Sequence, residues 1–206
     1  GLAQALRSLV RQLLTEAETS LDSWRGRLDE AVGPNGQLLI ALMPELERLL
    51  GPQPPILEVG PLESRNRFHQ VVTGFLRVFA RPEHPLVLFL DDLQWIDAAS
   101  LQLLEQLVTD TASHHLLVIA AYRDNEVGAS HPLSLSLSGL RDAGCDVHTI
   151  HLNELDARAV AELAADTFRQ ELAKMSFLAE LIIRKSAGNP FFVRRLLHSM
   201  QAQGLF

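Results

Sequence analysis

Apolar residues recur at helical spacing from the start of the chain: Leu2, Leu6, Leu9, Val10, Leu13 and Leu14, then Leu21, Trp24, Leu28 and Val32 beyond the Ser20 region. Intervals of three and four residues put each set on one face of a helix, so two amphipathic helices are predicted. Gly33-Pro34-Asn35-Gly36 reads as a turn, and residues 37–50 return to the helical period with Pro44 as an interruption. Gly51–Pro61 holds four prolines and two glycines and reads as a loop. Phe68, Val71, Val72, Phe75, Leu76 and Phe79 then restore the helical pattern up to the breaks at Arg81-Pro82 and His84-Pro85.

The period changes at Leu86. Leu86-Val87-Leu88-Phe89-Leu90 is an uninterrupted apolar run, as expected of a strand covered on both faces in a parallel sheet. Asp97 suits the N-cap of a helix over Ala98–Val108, and Leu116–Tyr122 reads as a second buried strand. After His131-Pro132, Leu133, Leu135 and Leu137 alternate with serines as a strand would, yet no turn residues flank them; helix is preferred there, on the resemblance given below. A third strand is predicted at Val147–Leu152, followed by helices at roughly Asp156–Phe168, Ser176–Ala187 and Pro190–Gln203. Strand and helix alternate first, and then only helices follow. That order predicts an α/β layer with a parallel sheet over residues 1–153 and an all-helical subdomain over 154–206.

Composition narrows the function classes. The 206 residues are 47% hydrophobic and 21% charged, enough apolar material for a packed core. The net charge of −7 and the lack of a basic stripe argue against a nucleic-acid binder. The single cysteine, Cys145, rules out an internal disulfide and a multi-thiolate zinc site, which suits a cytoplasmic location. No apolar run approaches the ~20 residues of a membrane-spanning helix, and the amphipathic start with Arg7 and Arg11 lacks the centre of a signal peptide. Of the basic residues, 16 are arginines and only Lys174 and Lys185 are lysines. The chain starts at Gly1 and ends at Phe206 within regular patterns and reads as part of something larger.

The strongest chemical signal is Leu86–Leu90 followed by Asp91-Asp92, a buried strand delivering two carboxylates at its carboxyl end, where ligands bind in open α/β sheets. This is a Walker B pattern, although a buried strand entering a polar loop can end the same way. A nucleotide-bound Mg²⁺ keeps several waters and needs only one or two carboxylates, so Asp91 is the candidate metal residue and Asp92 the one facing an attacking water.

The segment Asp92-Leu93-Gln94-Trp95-Ile96-Asp97-Ala98-Ala99-Ser100-Leu101 resembles the extended Walker B segment DDLQWAD of AAA+ and STAND ATPases, with Ile96 in place of alanine. Ala120-Ala121-Tyr122-Arg123-Asp124-Asn125-Glu126 is similar to their sensor 1 strand, and the resemblance implies that Arg123 faces the γ-phosphate of ATP. Gly188-Asn189-Pro190-Phe191-Phe192 resembles the GxP segment of the STAND helical lid. The resemblance implies that Gly188, Asn189 and Pro190 belong to the cofactor-binding turn, with the proline near adenine. Arg7–Leu14, Gly33–Gln37 and Glu63–Phe68 resemble the ATPase module of large bacterial signalling proteins that join a serine/threonine-kinase-like domain, a sensor domain and a histidine kinase. The implied fold is a partial P-loop NTPase sheet, its first strands missing, followed by a helical lid.

The chain departs from that family in one respect, for it has no G-x-x-x-x-G-K-[ST] motif to cradle the phosphates. In the family that motif lies upstream, so the resemblance implies the metal and sensor half of a site whose cofactors are ATP and Mg²⁺. The implied partners are the other domains of the parent protein, with self-association open and no nucleic acid or membrane insertion. A nucleotide-independent scaffold and the ATPase part of a transcriptional activator stand as alternatives. Several residues have plainer readings: Trp95 packs against the following helix, Asp97 caps it, and His148 with His151 lie on opposite faces of a strand and bind no metal. Arg194 and Arg195 suit either a lid contact to phosphate or a solvated helix face.

Overall fold

The computed structural model describes residues 2–205. The chain divides into two compact units, residues 1–147 and 148–206.

In the first unit the helices α1 (Leu2–Leu13), α2 (Glu18–Val32), α3 (Gly36–Leu42), α4 (Glu47–Leu50) and α5 (Pro61–Phe79) precede the sheet. Helix α1 buries Leu2, Leu6, Val10 and Leu13, one residue per turn, and leaves Arg7 and Arg11 to solvent. Pro44 separates α3 from α4 through a short 3₁₀ turn, as its missing N–H requires. Pro61 opens α5 at the first helical position, where no donor is needed. Phe75, Leu28, Leu39, Met43 and Leu46 are fully buried in this core. Each such side chain contributes about 1.5–3 kcal/mol by leaving water.

Strand β1 (Leu86–Leu90) and strand β2 (Leu116–Ala120) pair in parallel, with α6 (Ala98–Thr109) as the crossover between them. The register sets Leu86 opposite Leu116 and Leu90 opposite Ala120. Arg77 of α5 holds Asp110 just beyond α6, and Asp110 also accepts from Ser113 Oγ at 2.6 Å and from the Ala112 N–H at 3.2 Å. These bonds fix the loop that feeds β2. Burial works against ionisation of Asp110, but the Arg77 and Ser113 bonds outweigh it and hold the carboxyl below its ordinary range. Helix α7 (Pro132–Asp142) follows. Leu133, Ser136 and Leu140 are its buried residues, so the leucine–serine alternation is read at helical spacing.

Two expectations about the sheet fail. The sheet was expected to be covered on both faces, but only one face of β1 turns into the core, with Leu88 and Leu90 buried and Leu86 half-buried against it. Val87 (54% exposed) and Phe89 (57%) stand beside Leu117 and Ile119 on an open face, in register. A third strand was expected at Val147–Leu152, but among the described residues the sheet has two strands. Residues 148–153 are irregular, and Ile150 and Leu152 are 82% and 92% exposed. A strand needs a neighbour to satisfy its ladder, and the described elements after residue 147 are all helices.

The second unit consists of α8 (Ala157–Phe168), α9 (Leu172–Ser186) and α10 (Pro190–Ala202). Helix α9 begins four residues before the expected Ser176. Val160, Ala164, Ala179, Ile182 and Val193 form a separate small core, with alanines allowing α8 and α9 to approach closely. No described helix is long and apolar enough to cross a membrane.

Candidate functional site

At the carboxyl end of β1 the chain turns sharply. Asp91 is exposed, and Asp92 takes the left-handed conformation, φ 54° and ψ 42°. Aspartate tolerates this region better than most non-glycine residues because its short side chain bonds locally. Here Asp91 Oδ1 accepts the Asp92 N–H at 2.9 Å. A 3₁₀ turn over Leu93–Trp95 follows, closed by the Trp95 N–H on the Asp92 carbonyl at 3.1 Å. Leu93 is buried, and its N–H donates to the Ala121 carbonyl at 3.0 Å. The Ala121 N–H donates in turn to the Leu90 carbonyl at 2.8 Å. The ends of the two strands are thereby tied together directly below the two carboxylates.

Arg123 stands two residues past that tie. Its guanidinium bonds Glu126 Oε1 at 3.2 Å, lies 3.9 Å from Asp92 Oδ1 and sits over the Trp95 ring, 5.7 Å from the centroid. Exposed pairs of this kind contribute less than about 1 kcal/mol each, so the arginine is held loosely enough to change partners. Gln94 is different. It is 6% exposed, donates from Nε2 to Asp92 Oδ1 at 2.9 Å and accepts the Arg123 N–H on Oε1 at 3.3 Å. Its own carbonyl receives His131 Nε2 at 3.2 Å, while His131 Nδ1 accepts the Leu133 N–H and caps α7. Since a carbonyl only accepts and an amide N–H only donates, these two bonds call for Nε2–H toward the Gln94 carbonyl and for Nδ1 as the acceptor.

Of the expected site residues, Asp91, Asp92 and Arg123 are brought together. Gln94 and His131 went unassigned in the sequence, although a glutamine two residues past a strand-end carboxylate is a detectable sign. Trp95 does not pack against the following helix: it is 67% exposed, because the 3₁₀ turn sends Leu93 inward and leaves the indole as a platform for Arg123. Asp97 is the N-cap of α6, accepting from the Ser100 N–H at 2.9 Å and the Ser100 hydroxyl at 2.6 Å. Those Ser100 bonds hold its carboxyl below the ordinary value of 3.8. No group of three or more potential metal ligands occurs among the described residues, and His148 and His151 lie on irregular backbone rather than on a strand.

Gly188, Asn189 and Pro190 form the turn between α9 and α10 in the second unit. The left-handed cap of α9 is Ala187, φ 49°, and Gly188 follows at φ 72°. Gly188 N–H donates to Ser186 Oγ at 3.3 Å and its carbonyl accepts the Leu155 N–H at 2.9 Å. Asn189 caps α10 by accepting the Phe191 N–H at 3.0 Å, and Pro190 takes the first helical position. Pro190, Phe191, Phe192, Arg194 and Arg195 are all exposed.

Asp91 and Asp92 present carboxylate oxygens to solvent at a strand's carboxyl end, a donor set that fits a Mg²⁺ keeping most of its waters. The backbone cradle for phosphates is not in this sequence. The family model described as AAA ATPase domain matches residues 1–119, which include both aspartates and Gln94 but neither Arg123 nor the Gly188–Pro190 turn. A hybrid signal transduction histidine kinase G from Dictyostelium discoideum is 35% identical over 108 residues, covering 52% of this chain and 3% of that protein's length. No solved structure matches. With more than half its length matched by the family model, the chain belongs to the AAA ATPase domain family.

Proposed function

We propose that the chain is the metal and sensor half of an ATP-binding switch of the STAND type, within a multidomain signal-transduction kinase. One observation carries this reading. Asp91, Asp92 and Arg123, from the ends of two adjacent parallel strands, are gathered around Gln94, which bonds the Asp92 carboxylate and the Arg123 N–H, with the Arg123 guanidinium 3.9 Å from Asp92 Oδ1. When bound with ATP, Mg²⁺ neutralises charge on the phosphates. Asp91 would hold the ion's water shell, Asp92 would accept a hydrogen bond from the attacking water, and Arg123 would exchange Glu126 for the γ-phosphate. The open sheet face of Val87, Phe89, Leu117 and Ile119 supports the reading that further α/β elements, including a P-loop, complete the module. In the second unit, Pro190 would meet adenine and report the nucleotide state to neighbouring domains. The kinase setting rests on the likeness to the Dictyostelium protein and on the sequence resemblance.

The test is calorimetric titration of the full-length natural protein with ATP, with and without Mg²⁺. Mg²⁺-dependent micromolar binding supports the reading. Absence of binding by the full-length protein refutes it in favour of a scaffold.

A further inference from the structure

Between the two halves of this cluster lies a buried side chain with no role in the reading above. Gln94 has its amide enclosed, at 6% exposure, and both ends are used. The Arg123 N–H can only donate, so the Gln94 atom facing it at 3.3 Å is Oε1. That orientation turns Nε2 toward Asp92, whose carboxylate can only accept, at 2.9 Å. The side chain therefore reads a carboxylate on one side and a backbone donor on the other, and a flipped amide would satisfy neither. Its own backbone is pinned as well, by His131 on the carbonyl and by the 3₁₀ turn around it.

We propose that Gln94 is a positioning residue that locks the Asp92 carboxylate to the backbone just past β2, so that the Asp92 carboxylate and the Arg123 main chain keep a fixed spacing while the guanidinium stays free to change partners. Asp92 needs such a lock. It stands in a left-handed conformation on a partly exposed turn, and apart from the distant Arg123 guanidinium the Gln94 bond is what orients its carboxylate. A group that must orient water loses much of its effect when displaced by about 1 Å. The proposal rests on the reading of Asp92 and Arg123 given above, and its test separates the two.

The isosteric Gln94→Glu keeps an acceptor for the Arg123 N–H but replaces the donor to Asp92 with a second carboxylate. Gln94→Leu removes both bonds. In the full-length natural protein, ATPase kinetics and deuterium uptake of peptides covering residues 119–126 are measured for each. Gln94→Glu is expected to lower kcat by about tenfold or more with KM within about threefold, and to leave uptake at the Arg123 amide as in the wild type. Gln94→Leu is expected to lower kcat similarly and to speed exchange of that amide by about fivefold, the worth of one hydrogen bond. Wild-type kcat in Gln94→Glu, or unchanged exchange in Gln94→Leu, overturns the proposal. So does an equal loss of affinity and turnover in both variants, which marks a role in folding alone. A wild-type protein that neither binds nor hydrolyses ATP refutes the proposed function instead; the exchange comparison then decides whether Gln94 holds the strand end.

Discussion

Gly188→Ala tests whether the turn between α9 and α10 is held by packing within its own unit. Gly188 stands at φ 72°, where an alanine is disfavoured by roughly 1 kcal/mol. A Cβ built there would lie 2.5 Å from the Leu155 carbonyl oxygen and 3.2 Å from the Leu155 nitrogen. Both are backbone atoms and cannot rotate away. Relief requires separating the strap at residues 154–155 from the turn, which strains or breaks the Leu155 N–H bond to the Gly188 carbonyl. Overpacking of this kind costs about 1–3 kcal/mol. The sum is about 2–4 kcal/mol, equivalent to roughly 30- to 700-fold less protection from exchange at about 1.4 kcal/mol per decade. Hydrogen exchange by mass spectrometry on peptides covering residues 153–158 and 186–195 reads this directly in the full-length protein. Gly144→Ala is the control, since Gly144 has φ 82° but nothing within 4 Å of its added Cβ. It loses only the conformational part, about fivefold. If Gly188→Ala costs no more than Gly144→Ala in its own peptide, the close approach to Leu155 is not what selects glycine.

Asp97→Ala removes the α6 cap and is expected to cost about 1 kcal/mol in protection of the first turn of α6. Because Ser100 lowers the folded carboxyl below its ordinary 3.8, the cap contributes in full above that value and fades as pH falls through the lower folded one. The gap between wild type and Asp97→Ala measured by unfolding is therefore expected to close in acid. The isolated 206-residue chain is expected to bind apolar dyes and self-associate through the open sheet face; Phe89→Lys reduces both, whereas Leu90→Lys, in the core, unfolds the unit. A monodisperse chain with no dye binding would count against an open face. Pro190→Ala is expected to leave exchange in α10 unchanged, since Asn189 still caps it, and to weaken ATP binding by the full-length protein several-fold. Wild-type affinity would leave Pro190 with only its local role.

Local signals carried well from sequence to structure. The apolar run at Leu86–Leu90 formed β1, Asp97 became a side-chain cap, and Pro44 interrupted the helical stretch as expected, whereas Pro61, read as the end of a loop, opens α5. What failed depended on distant neighbours. Val147–Leu152 has strand-like composition, but a strand exists only beside another strand, and among the described residues the sheet stops at two. Both-sided burial of β1 was inferred from an unbroken apolar run, and composition cannot say which layers cover it. Trp95 was misplaced because an average tendency of tryptophan to be buried says nothing about the direction in which a 3₁₀ turn points it. The spacing of Gln94 from Asp92 is legible in the sequence, but the bond from its amide oxygen to the Arg123 N–H exists only when β2 lies alongside.

The division of labour between the two adjacent aspartates is the central claim, and ATP binding and turnover of Asp91→Asn and Asp92→Asn in the full-length natural protein test it most directly. Asp91→Asn is expected to weaken Mg²⁺-dependent ATP affinity by about tenfold or more. Asp92→Asn is expected to bind ATP within about threefold of wild type while slowing hydrolysis by at least about a hundredfold, as loss of a water-orienting group does. Equal loss of binding in both variants, or wild-type hydrolysis in Asp92→Asn, would contradict the account.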